Sequence, residues 1–207
     1  MLDKNEKDYM KSQILIGLTG CIAMGKSTTL KMFTRKGVKS WCADEAVTRL
    51  YDIGGAAVEY VKKISPESII KDSVSKVLLR KEIEKRPGLL RQLESFFVPL
   101  LKRDRENFLS LNSREKVLVF DIPLLFENNM ENEFDIVITV SVSEKTQKAR
   151  VLSRKTMDEP LFNLIKSKQL SDKEKRQKAD YIFETTSLEK INREIDALLE
   201  KISLGNA

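Results

Sequence analysis

The sequence predicts an α/β protein built on a five-stranded parallel sheet flanked by helices. Three observations predict it. Short, apolar, β-branched runs recur along the chain and read as buried strands. Helical stretches alternate with them, which is the pattern of a parallel sheet covered on both faces. A loop of the form G-x-x-x-x-G-K-S, Gly20 to Ser27, stands between the first such run and the first helix.

The elements follow in order. Gln13–Thr19, "QILIGLT", is almost wholly apolar and stops at Gly20, so it is the first strand. Lys26–Lys36 is a helix that ends at Gly37. Val38–Cys42 is the second strand, Val117–Ile122 the third, Asp135–Ser141 the fourth, and Tyr181–Phe183 a weak fifth. Helices are expected over Glu45–Tyr51, Ala56–Ile64, Ser75–Lys85, Pro87–Leu111, Glu144–Lys155 and Glu159–Lys178. Leu188–Ile202 closes the chain, with Leu188, Ile191, Ile195, Leu198 and Ile202 at helical spacing. The long connection from Ala43 to Lys116 reads as a helical insertion, and 144–180, rich in Lys and Arg, as a second candidate mobile element.

The chain has 207 residues, with no repeat and no low-complexity linker, which suits one domain with a subdomain inserted. Residues 1–13 are polar and mixed in charge and are expected to form a flexible arm; the domain then runs over 14–207. That arm has no apolar stretch of a secretory signal and no run is long enough to span a bilayer, so a cytoplasmic protein without a membrane partner is expected. Two cysteines, Cys21 and Cys42, make neither a disulfide framework nor a cysteine-only zinc site. The absence of histidine excludes histidine bases, triads and metal ligands, leaving acid–base work to carboxylates and metal ligation to oxygen. The net charge of +6 fits either a lysine-rich surface or an anionic ligand such as a nucleotide. Scattered basic residues and few aromatics speak against a nucleic-acid platform.

The loop's context supports phosphate binding. A buried strand precedes it and a helix follows it, so its backbone N–H groups and the helix N-terminus can face phosphates. Lys26 would contact the β- and γ-phosphates, and Ser27 would offer its hydroxyl to Mg²⁺. Cys21, Ile22 and Met24 are bulky for such a loop, but the work falls to main-chain donors, so those side chains can point away. The strain lies at Ala23 and Met24: a positive φ at either costs a non-glycine residue about 1–2 kcal/mol.

Three further groups stand out. Asp44, just past the second strand, can take a proton from an attacking hydroxyl, or cap the helix that follows. Asp121, ending the third strand, can sit on the Mg²⁺ side of a nucleotide, or be a turn residue before Pro123. Gln147, Arg150 and Arg154 share a helix face; the arginines can clamp phosphate or belong to a solvated face.

Several ordered segments together resemble the dephospho-coenzyme A kinase family. They are "IGLTGCIAMGKST", "ADEAVTRL", "VLVFDIPLLFENN", "DIVITVSVSEKTQKARVLSR" and "KSKQLSDKEKRQKADYIF", spanning about 14–200. The resemblance implies a phosphate-loop kinase fold. It implies transfer of the γ-phosphate of ATP, with Mg²⁺, to the ribose 3′-hydroxyl of dephospho-CoA. It makes Asp44 the base, and Lys26, Arg150 and Arg154 the groups that offset charge on the transferred phosphate. Gly20, Ala23, Met24, Gly25, Lys26, Ser27 and Thr28 would bind ATP, with Ser27 and Asp121 on the metal. It places the substrate-binding helices over about 50–116 and a lid over about 144–180, in a monomer or small homo-oligomer whose partners are ATP and dephospho-CoA, not nucleic acid. The family loop usually reads Gly-Gly-Ile-Gly-Ser-Gly-Lys-Ser. Here Cys21, Ala23 and Met24 replace two glycines and a serine, Cys42 stands for the first of two aspartates, Val98 for a histidine, and Thr185 and Thr186 follow the fifth strand. These departures leave room for a kinase of another small hydroxyl acceptor, or a nucleotide-binding protein without turnover.

Overall fold

The structure, a computed structural model, describes residues 13–153 and 159–205. Five strands form one sheet: β1 (Ile14–Thr19), β2 (Lys39–Cys42), β5 (Val117–Asp121), β6 (Ile136–Ser141) and β7 (Tyr181–Glu184), in the order β2-β5-β1-β6-β7. β1 is the central strand and pairs in parallel with β5 and β6, and β6 in parallel with β7. Its Ile16 and Leu18 are fully buried, as is every residue of β6, which is why these strands read as unbroken apolar runs. Gly17 is required by space: a Cβ there would stand 2.7 Å from Leu125 Cδ1 and 2.9 Å from Phe134 Cδ2. The register sets Leu18 beside Asp121, so the third strand's carboxylate ends level with the strand that feeds the loop.

The chain divides into two compact units. One runs to Ser40 and resumes at Ser113; it carries the loop and most of the sheet. Its helices are α1 (Lys26–Arg35), α6 (Glu144–Leu152), α7 (Glu159–Ser167), α8 (Asp172–Lys178) and α9 (Leu188–Ser203). α1 buries Thr29, Leu30, Met32 and Phe33, and α9 buries Ile191, Ile195 and Leu198.

The single helix expected over Glu159–Lys178 is instead two, α7 and α8. The break comes at Ser171, whose hydroxyl accepts from the Glu174 N–H while the Glu174 carboxylate accepts from the Ser171 N–H. That reciprocal cap, an S-x-x-E pattern inside a helical run, starts a new helix where periodicity alone predicts continuation. The helix expected over Glu144–Lys155 is described to Leu152, and residues 154 and 155 lie outside the described residues.

The other unit, Trp41–Asn112, holds α2 (Ala43–Tyr51), α3 (Val58–Ile64), α4 (Lys76–Lys85) and α5 (Gly88–Leu111). Its core gathers Val58, Val61, Val74, Leu79, Leu89, Leu93 and Phe97, with Tyr51 edge-on to Phe97 at 5.1 Å. Asp104 on α5 accepts from Trp41 Nε1 and Arg49 Nη2, each at 2.7 Å. A hairpin that the sequence reading omitted, β3 (Ile69–Ile70) and β4 (Ser73–Val74), packs here. Its two-residue turn puts Lys71 and Asp72 at φ +47° and +57° without the usual glycine or asparagine, so it carries no turn signature. Val98 is exposed on α5.

Candidate active site

The loop from Gly20 to Ser27 joins β1 to α1. Cys21 C=O accepts from Met24 N–H at 3.2 Å, closing a turn whose central residues are Ile22 and Ala23. Ala23 has φ +60°, so the strain the sequence allowed at two residues falls on Ala23, and Met24 escapes it. Gly25 caps α1 with φ +97°. Its carbonyl accepts from Thr28 and Thr29 N–H. Among the described residues the N–H groups of Gly25, Lys26 and Ser27 have no acceptor; at the positive end of a ten-residue helix they are donors for an anion.

The bulky loop side chains turn inward. Cys21 and Met24 are buried; Cys21 Sγ contacts the Leu170 carbonyl at 3.5 Å, and Met24 Sδ accepts from Val142 N–H at 3.2 Å. Burial, partly opposed by the charge of Lys175, pushes the Cys21 thiol up to about 11. Ala23 packs with Val151 and Phe162.

Lys26 Nζ is paired with the buried carboxylate of Asp121. The structure thus brings together the loop lysine and the carboxylate at the end of β5. Ser27 and Thr28 are exposed on the first turn of α1. Ser27 and Asp121 supply oxygen donors; among the described residues no three acidic or cysteine side chains gather as a metal site.

Arg150 lies on α6 and its guanidinium reaches the segment after β7, donating to Thr185 Oγ1 at 3.1 Å and to Thr185 C=O at 2.6 Å. Thr185 Oγ1 in turn donates to the Met24 carbonyl at 2.6 Å. Arg150, Thr185, Ala23, Gly25, Thr28 and Leu188 line a cavity of about 410 Å³ beside the loop. Arg154 lies outside the described residues. Asp44 is exposed in the first turn of α2, which starts at Ala43, one residue before it; the residue before the helix is Cys42, and no side chain caps it. Asp44 is therefore not the cap, and its carbonyl, not its carboxylate, is engaged, by Thr48 Oγ1 at 2.7 Å.

Four residues of this site are given no role by the sequence: Thr185 stands there only as a departure from the family pattern, and Glu127, Gln169 and Lys175 only as letters of the segments that carry the resemblance. Lys175 looks like one lysine among many, yet it is 0% exposed, with Nζ 2.9 Å from Glu127 Oε1 and 3.1 Å from Pro123 C=O. The signal available was its place in the Q-x-x-x-x-E-K segment, 169–175, which covariation with "DIPLLFE" could have exposed.

The family model for dephospho-CoA kinase matches residues 14–190. A dephospho-CoA kinase of Ruegeria pomeroyi is 40% identical over 191 residues, covering 92% of this chain and 96% of that protein. One of Cereibacter sphaeroides is 42% identical over 187 residues, 90% of this chain and 94% of that protein. Among solved structures, a Thermus thermophilus protein superposes with a TM-score of 0.79 at 26% identity, over 91% of this chain and 97% of its own. A dephospho-CoA kinase from Campylobacter jejuni gives 0.64 at 22% identity, over 92% and 98%, a likeness of fold.

Proposed function

The chain belongs to the dephospho-CoA kinase family, and from that premise we infer that it transfers the γ-phosphate of ATP to the ribose 3′-hydroxyl of dephospho-CoA, giving coenzyme A and ADP. This is the last step of coenzyme A biosynthesis. The observation that carries the reading is the loop itself: three adjacent N–H donors, at Gly25, Lys26 and Ser27, open α1, where Lys26 pairs with Asp121 at the end of β5.

Transfer of this kind is achieved by positioning and electrostatics more than by covalent chemistry. The loop N–H groups bind the phosphates of ATP. Lys26 exchanges its Asp121 partner for phosphate oxygen, an exchange between two anions that keeps its charge compensated throughout. A magnesium ion bound with ATP would offset phosphate charge, and the Ser27 hydroxyl and the Asp121 carboxylate are the hard oxygen donors that would hold it. Arg150, already fixed beside the loop by Thr185, and Arg154 offset charge on the transferred group. Asp44 takes the 3′-hydroxyl proton. Its support is its place two residues past β2 and its exposed carboxylate. The helical region over about 50–116 binds dephospho-CoA, and a lid within about 144–180 covers the nucleotide. On this reading the enzyme works in the cytoplasm, on two small molecules, as a monomer or small homo-oligomer.

The test is an ATP-dependent assay with dephospho-CoA, wild type beside Lys26→Ala and Asp44→Asn. Wild type is expected to turn over, and Lys26→Ala to lose both affinity and rate. Asp44→Asn is expected to lose most transfer with ATP binding near normal. Phosphorylation of a nucleoside but not of dephospho-CoA would overturn the acceptor, and turnover by Asp44→Asn within a few-fold of wild type would overturn the base.

A further inference from the structure

Two glutamines converge on one residue of the phosphate loop. Gln147 Nε2, from α6, donates to the Ile22 carbonyl at 2.8 Å. Ile22 N–H donates to Gln169 Oε1, from the link between α7 and α8, at 3.0 Å. The partners fix both amide orientations, since only the NH₂ group can donate to a carbonyl and only the oxygen can accept from an N–H. Gln147 is 3% exposed, so its bond is shielded from water.

Gln169 is itself held in place. The next residue, Leu170, donates its N–H to Glu127 Oε1 at 2.7 Å. Glu127 pairs with the fully buried Lys175. The Glu127 carboxylate thus meets both the Lys175 ammonium and the Leu170 N–H. It thereby fixes the segment that presents Gln169 to the loop.

What the glutamines hold is a strained turn. Cys21 to Met24 is a hydrogen-bonded turn with Ala23, its third residue, at φ +60°. Glycine suits that position; alanine is strained there. The turn can relieve the strain by flipping its central peptide, which joins Ile22 to Ala23, so that Ala23 returns to negative φ. The carbonyl of that peptide is the one Gln147 grips, and Gln169 grips the N–H of the peptide before it.

We propose that Gln147 and Gln169 are positioning residues that pin the Ile22–Ala23 peptide against this flip, so that the following N–H groups stay directed at the phosphates of ATP. The proposal rests on the reading that this loop binds ATP. It explains how a chain that lacks the usual loop glycine keeps the glycine conformation.

The experiment is ATP binding by titration calorimetry, together with KM for each substrate, on wild type, Gln147→Met, Gln169→Met, and each variant combined with Ala23→Gly. Methionine keeps length and removes the polar end. Each single variant is expected to weaken ATP binding about ten-fold, the scale of one lost shielded hydrogen bond. KM for dephospho-CoA is expected to stay within two-fold of wild type. Adding Ala23→Gly is expected to recover most of the loss, because glycine removes the strain that drives the flip. Gln169 is partly exposed, so its variant folds even where the buried Gln147→Met does not. ATP affinity unchanged in Gln169→Met, or no recovery with Ala23→Gly, overturns the proposal while leaving the function intact. Wild type that binds ATP without phosphorylating dephospho-CoA overturns the function while the affinities still decide the proposal. Wild type that does not bind ATP overturns both.

Discussion

Gly25→Ala tests how closely the phosphate loop is packed against the segment after β7. A Cβ on Gly25 would stand 2.7 Å from Thr185 Oγ1, 2.9 Å from its Cβ and 3.1 Å from its Cγ2. The backbone there has φ +97°, which strains an L side chain by about 1–2 kcal/mol. Thr185 cannot step aside at little cost. It is 3% exposed, and its hydroxyl both donates to the Met24 carbonyl and accepts from Arg150. Losing the two bonds costs about 1 kcal/mol each. The stiffer unfolded chain of alanine offsets about 0.5–1 kcal/mol. The net is a destabilisation of about 3 kcal/mol, read as a lower urea midpoint at unchanged slope and a Tm lower by about 6–12 °C. Because the strain and the clash meet at one contact, Gly25→Ala and Thr185→Ala should be non-additive, the double variant being less destabilised than the sum by about 1 kcal/mol or more. A loss below about 1 kcal/mol for Gly25→Ala, or strict additivity, would refute the packing argument.

Two other outcomes follow from the interior beneath the loop. Lys175→Met should destabilise by about 3 kcal/mol because it strands the largely buried Glu127 carboxylate, and adding Glu127→Gln should return part of that loss; urea unfolding of the three variants decides it. The folded state holds the Cys21 proton up to about pH 11, whereas an unfolded thiol releases it near 9.0, so the folded state binds that proton more tightly. The thiol's contribution is therefore complete below pH 9 and falls as pH rises from about 9 to 11; Cys21→Ala should flatten that decline in urea midpoints, and native Cys21 should resist alkylation at pH 8.

The parts of this protein that could be read from sequence are those where one local pattern decides the structure. Strands β1, β5 and β6 are buried on both faces, so their apolar runs have no competing reading. The loop is legible because its work is done by backbone at fixed glycines, Gly20 and Gly25, and by Lys26. What could not be read depends on partners far away in sequence. Arg150 and Gln147 share a helix, yet one reaches Thr185 after β7 and the other Ile22 in the loop. Lys175 is hidden because its burial depends on Glu127, 48 residues earlier. The hairpin at Ile69–Val74 escaped because two-residue strands are too short to show alternation. Asp44 lies two residues past β2, but the helix begins at Ala43, two residues sooner than a capping role for Asp44 would need.

The loop divides its labour between main chain and side chain, and this leads to an unexpected consequence for Met24. Serine is the usual residue of the family at this position, so Met24→Ser restores the common loop. Here, however, the methionine is 2% exposed, and its sulfur accepts the Val142 N–H at 3.2 Å. Serine would leave a cavity where the thioether sat and a buried N–H without its acceptor. The cavity costs about 2–4 kcal/mol, and the stranded donor adds to it. The main-chain donors of Gly25, Lys26 and Ser27 do not depend on that side chain, so ATP affinity of the folded protein should stay within about three-fold. Thermal unfolding with and without ATP, beside calorimetric binding, separates the two effects. A Met24→Ser variant as stable as wild type would show that the methionine is not packing in place of the lost serine. A large loss of affinity at unchanged stability would show that the side chain, not the backbone, sets the phosphate site.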